Sequence, residues 1–362
     1  MKLTKLTKDI GTKIENIDIT KPLSNADILT IRQILAERGV VVLNVPNGLT
    51  EQEQIAFTSQ FGKCIPHPGT FQRWLQNNNL NGNDSKLKPK EVRRIAIKKE
   101  HALISSQTKE SKEKLKNVQK SRQAGMKIVQ KFNYVPKDPR SLPINPNANN
   151  ETWHSDVSCE FSPPACSCLH MLKAAPDGKG DTLFASMYNV YDKISPALRE
   201  MLKSMHGVHI ERRLGNDWYE MPHPAIIRHP ETKRPVVFLN RAFVGRFENF
   251  TVKESKPILH YIEKIASSPD NVYRHNWTFG DLVMWDNRCM LHFAVKDYDA
   301  NIEGQERIVR RTNWYDGVQP SFHPKVVRQL YFPYDDQPFS IETVKSYDGY
   351  LPEHILLRNS RL

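Results

Sequence analysis

The sequence predicts a mainly β fold with flanking helices, arranged as a jelly roll. Many short strand-like segments follow Trp153, and turn-forming residues separate them. Two helical segments interrupt these strands, and a mixed α/β segment precedes them. Short strands separated by turns are typical of sandwiches and barrels, and 362 residues are enough for one large domain or two modest ones.

The N-terminal segment predicts two helices on either side of a buried strand. SNADILTIRQILAERG has a capping serine at Ser24, repeats apolar residues on one helical face and ends at Gly39, so it predicts an amphipathic helix. VVVLNV follows as a buried strand. LTEQEQIAFTSQFG predicts the second helix, because Thr50 and Glu53 have the spacing of a capping box.

Residues 83–136 interrupt this pattern and predict a basic insertion. Residues 86–131 contain 15 Lys or Arg and 4 Asp or Glu, so this segment carries almost all of the net charge of +12. Such a segment would suit a binding or regulatory protein that contacts nucleic acid or an acidic partner, which is the alternative function. It lacks the interleaved aromatic residues of a single-strand-binding surface, so we do not expect nucleic acid as a partner. A Pro- and Asn-rich connector, 133–150, follows.

The segment after Trp153 supplies most of the predicted strands. The strand candidates are TLFAS (182–186), GVHIER (207–212), AIIRH (225–229), PVVFLN (235–240), DLVMWD (281–286) and RIVRRTNWY (307–315). The two helices among them are VYDKISPALREMLKSM (190–205) and TVKESKPILHYIEKIAS (251–267). In the second helix Thr251 is the expected cap, because Glu254 lies three residues on.

Composition predicts a cytoplasmic protein without a membrane partner. No apolar run approaches the ~20 residues that span a bilayer, and the N-terminus has no long apolar segment of a secretory signal. The five cysteines are odd in number and suggest no disulfide framework, which favours a reducing compartment. The C-terminal tripeptide SRL resembles a peroxisomal address, so the peroxisome is the alternative location.

Two histidines and an aspartate form the candidate metal site. His154 and Asp156 stand two residues apart, so in an extended chain their side chains point to the same face. His292 lies far downstream in a strand-like segment. Two histidines and one carboxylate suit Fe(II), with three coordination positions left open. They also suit a zinc hydrolase, in which a water completes the coordination.

An arginine favours the iron interpretation. Arg307 lies 15 residues after His292, and Arg311 shares its face of the predicted strand. A guanidinium forms a bidentate pair with a carboxylate. A zinc hydrolase has no special need for such a pair, whereas an Fe(II) enzyme that anchors the far carboxylate of 2-oxoglutarate does.

Several motifs resemble the taurine dioxygenase (TauD/TfdA) family of Fe(II)/2-oxoglutarate-dependent oxygenases. These motifs are WHSD (153–156), GDTLFAS (180–186), LNRAF (239–243), GDLVMWDNRCMLHFA (280–294) and RIVRR (307–311). The resemblance implies one oxygenase domain over residues 1–362 that contains the insertion 83–136. It implies a double-stranded β-helix core of the cupin-like jelly-roll type. The loop KDYDANIEGQE (296–306) is longer than is usual in the family, so we expect it to bulge outward.

The resemblance also implies cofactors and site residues. The cofactor is Fe(II), with 2-oxoglutarate and O2 as cosubstrates. The implied iron ligands and catalytic residues are His154, Asp156 and His292; the implied 2-oxoglutarate residues are Thr182, Arg307 and Arg311; the implied substrate residues are His67, Asn150, Phe243 and, again, Arg311. The expected reaction hydroxylates a small anionic, taurine- or alkylsulfonate-like substrate and yields succinate and CO2. An aryloxy-carboxylate, an amino-acid-derived compound or a natural product is the alternative substrate, and homo-oligomerisation is left open.

Overall fold

The computed structural model describes residues 1–64, 130–133, 152–160, 162–212, 218–299, 302–304, 306–316 and 320–321, and it is mainly β with flanking helices. The α-helices within these ranges are α1 (Asn25–Arg38), α2 (Glu51–Ser59), α3 (Met187–Lys193), α4 (Pro196–Lys203) and α5 (Val252–Ala266). Within this described part, every helix is too short or too polar to cross a membrane.

The strands run through the whole described chain. They are β1 (Lys2–Lys5), β2 (Thr12–Glu15), β3 (Val40–Asn44), β4 (Lys63–Cys64), β5 (Gln130–Asn133), β6 (Cys166–Lys173), β7 (Thr182–Ser186), β8 (His206–Arg212), β9 (Trp218–Pro224), β10 (Ile226–Arg228), β11 (Pro235–Val237), β12 (Val244–Phe247), β13 (Val272–His275), β14 (Asp281–Asp286), β15 (Met290–Ala294) and β16 (Ile308–Tyr315). Most strands that the sequence predicts are confirmed in place, although β10 and β11 are shorter than expected.

One large sheet organises these strands. In the described residues it has eight strands in the order β1-β2-β3-β14-β6-β16-β4, with β5 also paired to β16. A second sheet has the order β13-β7-β15, a third has β12-β8-β9, and β10 pairs with β11. Only the β2–β3 pairing is parallel among these pairs.

The core lies on both faces of the large sheet. On β14, Leu282 and Met284 belong to one buried cluster with apolar residues of α1 and α2. Val283 and Trp285 belong to the other cluster, which includes residues of β7, β15 and α5. Successive side chains of a strand point to opposite faces, so this strand is apolar on both sides and shows no alternation. Helices α1 and α2 therefore cover one face, and the second sheet and α5 lie on the face that holds the site.

The predicted helix ends are confirmed. Ser24 caps α1 through its side chain, and Gly39 ends that helix at φ 72° with its N–H bonded to the carbonyl of Leu35. Complete capping boxes begin α2 at Thr50 and α5 at Thr251. These features depend only on neighbouring residues, which is why the sequence alone locates them.

The predicted helix 190–205 is wrong as a single element. The chain instead forms α3 and α4, with a break at Ile194 and Ser195. Proline disfavours the helical conformation of the residue before it, and Pro196 stands at the start of α4. Ser195 adopts an extended conformation and caps α4, so the two residues together start a new helix.

Strand β6 is the central strand that the sequence prediction missed. It lies between β14 and β16, and six of its eight residues are buried. Its sequence, CSCLHMLK, has neither alternation nor β-branched residues, so no strand pattern marks it. A strand in the middle of this sheet is covered on both faces, so the side chains of β6 are buried on both faces.

The predicted insertion lies mostly outside the described residues. The exception is β5, whose backbone pairs antiparallel with β16, placing Gln130 opposite Arg311 and Asn133 opposite Ile308. The sheet therefore includes four residues of the range 83–136. Those residues extend the large sheet beside the strand that carries the arginines.

Candidate active site

A backbone bridge brings the two candidate histidines together. His154 pairs antiparallel with His292 of β15, through N–H to carbonyl distances of 3.1 and 2.8 Å. Directly opposed residues of a bridge project their side chains to the same face. The two imidazole rings accordingly lie 4.1 Å apart between centroids.

Asp156 completes a cluster that could hold a metal ion. Ligand atoms of His154, Asp156 and His292 all lie within 4.8 Å of one another. His154 Nδ1 lies 2.8 Å from the carbonyl oxygen of Thr152, which directs Nε2 toward the other two side chains. A metal-binding histidine commonly donates its second ring nitrogen in this way. The donor set and this outer hydrogen bond both fit a divalent metal such as Fe(II).

The three side chains are in the protonation states that ligate metals. Burial lowers the pKa of His154 and lowers the pKa of His292 to about 3, so both imidazoles are neutral near neutral pH. Burial alone would raise the pKa of Asp156, but the positive charge of Arg311 holds it well below its usual range. The site therefore presents two neutral imidazoles and one carboxylate without any proton having to leave.

Buried hydrogen bonds fix the Asp156 carboxylate. Ser167 Oγ of β6 donates to Asp156 Oδ2 at 2.5 Å, and Asn287 Nδ2 donates to that Oγ at 2.9 Å. Asn287 Oδ1 accepts from the backbone N–H of Asp156 at 3.2 Å and from Trp285 Nε1 at 3.1 Å. Each of these side chains is buried. Ser167 and Asn287 therefore set the orientation of the carboxylate, although neither was predicted as a site residue.

Only one of these two supporting residues leaves a signal in the sequence. Asn287 belongs to the WDNR segment just before His292, in a motif already singled out. Ser167 stands between two buried cysteines and has no distinguishing pattern. Its contact with Asp156 exists only because β6 lies in the centre of the sheet.

Replacement of Ser167 by alanine is expected to weaken metal binding about 10- to 100-fold, the range for loss of a supporting partner of a metal ligand. The change removes the donor to Asp156 Oδ2 and leaves Asn287 Nδ2 without its acceptor. Anaerobic titration with Fe(II) or Co(II) measures the effect. Ser255→Ala is the matched control, because Ser255 is also fully buried but lies in α5. Equal metal affinity of wild type and Ser167→Ala would contradict the positioning role.

Arg311 contacts the Asp156 side chain of the metal cluster. Its Nη1 donates to Asp156 Oδ1 at 2.8 Å, and both side chains are largely buried. The neighbouring Arg310 points to the other face of β16, where its Nη2 donates to the carbonyl of Leu49. Arg311 is therefore in position to influence the metal ligand directly, in addition to the anion-binding role that the resemblance implies.

Arg307 is half-buried beside Trp277, just before β16. Its guanidinium carbon is 5.4 Å from the centre of the Trp277 ring, and Trp277 Nε1 donates to Thr182 Oγ1 at 3.0 Å. Burial lowers the pKa of Arg307, while Tyr298 and the Asp181 carboxylate oppose this shift, and Asp181 itself forms an ion pair with Arg274. The predicted residues Arg307 and Thr182 thus both contact Trp277.

Of the other three predicted substrate residues, the structure describes only Phe243. Phe243 lies in the turn before β12, half-buried, and its backbone N–H donates to Asn240 Oδ1 at 3.0 Å. His67 and Asn150 lie outside the described residues.

A second group of metal-compatible residues is structural. His229, Asp286 and Cys289 lie close together and are buried. His229 Nε2 contacts Asp286 Oδ2 at 3.0 Å, while its Nδ1 accepts from two backbone N–H groups. Arg288 also pairs with Asp286. Both ring nitrogens are thus occupied, and the network holds the turn that contains Asn287.

Comparisons with known proteins agree with this geometry. The family model described as "Taurine catabolism dioxygenase TauD, TfdA family" matches residues 2–313. The chain is 33% identical to an alpha-ketoglutarate-dependent sulfonate dioxygenase of Saccharomyces cerevisiae, over 41% of this chain and 39% of that protein. It is 28% identical to an alpha-ketoglutarate-dependent 2,4-dichlorophenoxyacetate dioxygenase of Cupriavidus pinatubonensis, over 84% of this chain and 94% of that protein.

Solved structures with a similar fold include a taurine dioxygenase from Burkholderia xenovorans, with a TM-score of 0.62 and 23% identity over 88% of this chain and 92% of that one. They also include AAD-2 in complex with Mn(II) and N-oxalylglycine, with a TM-score of 0.60 and 19% identity over 88% and 98% of the two chains. At these identities the likeness describes the fold.

Proposed function

This chain belongs to the TauD/TfdA family of Fe(II)- and 2-oxoglutarate-dependent dioxygenases, and we propose that it hydroxylates a small organic anion. The observation that carries the proposal is the combination of two sites in one region. The first is the cluster of His154, Asp156 and His292, and the second is the half-buried Arg307, which lies with Thr182 beside the same Trp277 ring. A zinc hydrolase would need the first site but has no use for the second.

His154, Asp156 and His292 would hold the iron, with Asp156 fixed by its hydrogen bonds. Bound Fe(II) and 2-oxoglutarate supply the oxidising chemistry, in which O2 is consumed, succinate and CO2 are released and a C–H bond is hydroxylated. The chain itself orients these groups. Arg307 binds the distal carboxylate of 2-oxoglutarate in a bidentate pair, and Thr182 lines the same pocket.

Aromatic rings line the His292 side of the metal cluster. The ring of Trp285 lies 4.8 Å from that of His292, and Phe184 lies 6.4 Å from it, between centroids. Trp153 packs against Phe293 on the next position of β15. A dry site strengthens every charge interaction within it and protects a reactive oxidant from side reactions. These rings are therefore part of the working site as well as of the core.

The fold consistent with this function is a jelly roll in a single oxygenase domain. The large sheet faces β13-β7-β15, and the bridge between His154 and His292 lies on β15 of the second sheet. The family match over residues 2–313 supports one domain that includes the insertion. In such a fold, His292 on β15 and the segment bridged to it through His154 would hold the metal.

The substrate we propose is a taurine- or alkylsulfonate-like anion. The names of similar proteins include sulfonate, sulfate ester and 2,4-dichlorophenoxyacetate dioxygenases and an alkylsulfatase. Their substrates share an anionic group close to an oxidisable C–H bond. A guanidinium has five N–H donors, so Arg311 can pair with Asp156 and still contribute to binding such an anion.

The test is a panel of alkylsulfonates, sulfate esters, phosphonates and aryloxy-carboxylates, scored by substrate-dependent succinate release in the presence of Fe(II), 2-oxoglutarate and O2. We expect release above the uncoupled rate with at least one sulfonate. The His292→Ala variant is the control, because it measures the succinate that forms when the metal site is disrupted. Stimulation by aryloxy-carboxylates alone would replace the sulfonate assignment, and absence of 2-oxoglutarate turnover with every compound would contradict the oxygenase function.

A further inference from the structure

Trp277 links Thr182 and Arg307, two of the residues proposed to bind 2-oxoglutarate. Its indole Nε1 donates to Thr182 Oγ1 at 3.0 Å. The Arg307 guanidinium carbon lies 5.4 Å from the centre of the Trp277 ring, within the range of a cation–π contact. Trp277 is only 3% exposed. Thr182 begins β7 and Arg307 precedes β16, so one residue after β13 joins two separate segments of the chain.

Neighbouring side chains hold Trp277 in place. The ring of His275 lies 4.5 Å from the Trp277 ring, between centroids, with the two planes at 88°. His275 Nδ1 lies 2.9 Å from the Tyr273 hydroxyl, and its Nε2 lies 3.3 Å from Asp281 Oδ2. The backbone of His275 pairs with that of Thr182 in the register of β13 and β7. The strand pairing and His275 together therefore set the position of the indole relative to Thr182.

The direction of the hydrogen bond between Trp277 and Thr182 follows from the chemistry of the two groups. An indole nitrogen only donates, whereas a hydroxyl has one donor and two acceptor sites. The Thr182 hydroxyl therefore accepts from Trp277, and its own O–H is directed away from the indole. Thr182 is buried, so a rotation of its side chain that broke this bond would leave a buried N–H without an acceptor. The direction of the O–H is thus restricted before any ligand binds.

We propose that Trp277 is a positioning residue for the cosubstrate, and that its indole N–H orients the Thr182 hydroxyl to donate to the distal carboxylate of 2-oxoglutarate beside Arg307. This inference rests on the proposed function and adds to it a residue that acts through Thr182. The ring contact with Arg307 supports it, because the same indole lies next to the charged donor and the neutral one. A merely structural Trp277 would only fill space in the core, and the effect of its replacement would not depend on the Thr182 hydroxyl.

The test is a double-mutant cycle on the affinity for 2-oxoglutarate. Trp277→Phe removes the indole N–H and keeps an aromatic ring, Thr182→Val removes the hydroxyl and keeps the shape, and a third protein carries both changes. Affinity is measured by calorimetric titration into full-length protein loaded with Co(II) under anaerobic conditions. 2-Oxopentanoate, which has a methyl group in place of the distal carboxylate, is titrated in parallel. Trp314→Phe is the matched control, because Trp314 is also buried but belongs to the cluster with α1 and α2.

We expect each single change to weaken 2-oxoglutarate binding about 10-fold, because each removes or misdirects a hydrogen bond to a charged group. The double variant should bind within about threefold of Thr182→Val alone, since both changes disrupt one interaction. Binding of 2-oxopentanoate and of Co(II) should stay as in wild type. Effects that multiply to about 100-fold in the double variant would overturn the inference. Unchanged 2-oxoglutarate affinity in Trp277→Phe, or equal weakening for both ligands, would overturn it as well.

Folding and the proposed function are checked separately. Thermal unfolding of each variant shows whether it is folded. Where Trp277→Phe does not fold, benzothienylalanine at this position keeps the bicyclic ring and has sulfur in place of the N–H, and the same cycle is measured with it. Failure of the wild type itself to bind 2-oxoglutarate would overturn the proposed function, whereas normal wild-type binding with independent effects in the cycle overturns only the role of Trp277.

Discussion

Replacement of Asp156 by alanine should weaken metal binding by more than the ~10- to 100-fold that loss of a supporting residue causes, and should abolish metal-dependent binding of 2-oxoglutarate. Asp156 is the only carboxylate of the described metal cluster. Without it, two neutral imidazoles remain beside the positive charge of Arg311, which disfavours any cation. We expect anaerobic addition of Fe(II) and 2-oxoglutarate to give a visible charge-transfer absorption in the wild type and none in the variant.

The fold of this variant needs its own measurement. Asp156 and Arg311 form a largely buried ion pair, and removal of one partner of such a pair destabilises a protein by about 3–5 kcal/mol. Asp156→Asn keeps the shape of the side chain and an oxygen for Ser167, so it tests the charge with a smaller loss of stability. Asp270→Ala, at an exposed aspartate, is the control. A folded Asp156→Asn protein with wild-type Fe(II) affinity would exclude Asp156 as a ligand.

Replacement of Arg307 by alanine should raise the concentration of 2-oxoglutarate that half-saturates the protein about 10- to 150-fold. The physical reason is that a charge-assisted bidentate pair contributes roughly 1.5–3 kcal/mol. Metal affinity measured without 2-oxoglutarate should stay unchanged, because Arg307 contacts Trp277 and Tyr298 rather than the metal cluster. Calorimetric titration of 2-oxoglutarate into the Co(II)-loaded protein measures the change.

Two neighbouring arginines provide the comparison. Arg310→Ala removes a buried arginine from the opposite face of β16 and should leave 2-oxoglutarate affinity unchanged. Arg311→Ala should weaken the metal and the anionic substrate, since Arg311 contacts Asp156. Equal loss of 2-oxoglutarate affinity in Arg307→Ala and Arg310→Ala, with metal affinity intact, would show that Arg307 is not a specific anchor.

The sequence by itself determined the features that depend on neighbouring residues. The caps at Ser24, Thr50 and Thr251 are confirmed, because a cap needs only a side chain and the next three backbone groups. The spacing of His154 and Asp156 likewise indicated a shared face. The motif around His292 then supplied the third member of the cluster, which the structure brings together.

Only the tertiary structure decided which polar groups meet. Ser167 reaches Asp156 because β6, a strand without a sequence pattern, lies at the centre of the large sheet. Arg311 pairs with Asp156, and Tyr298 meets Arg307 across Gly180, although these residues belong to different segments. A buried polar group must find a partner to offset its desolvation, and the partner is whichever side chain the packing of distant strands brings within reach. Periodicity and spacing describe one strand or helix at a time, so they identify the residues but not these partners.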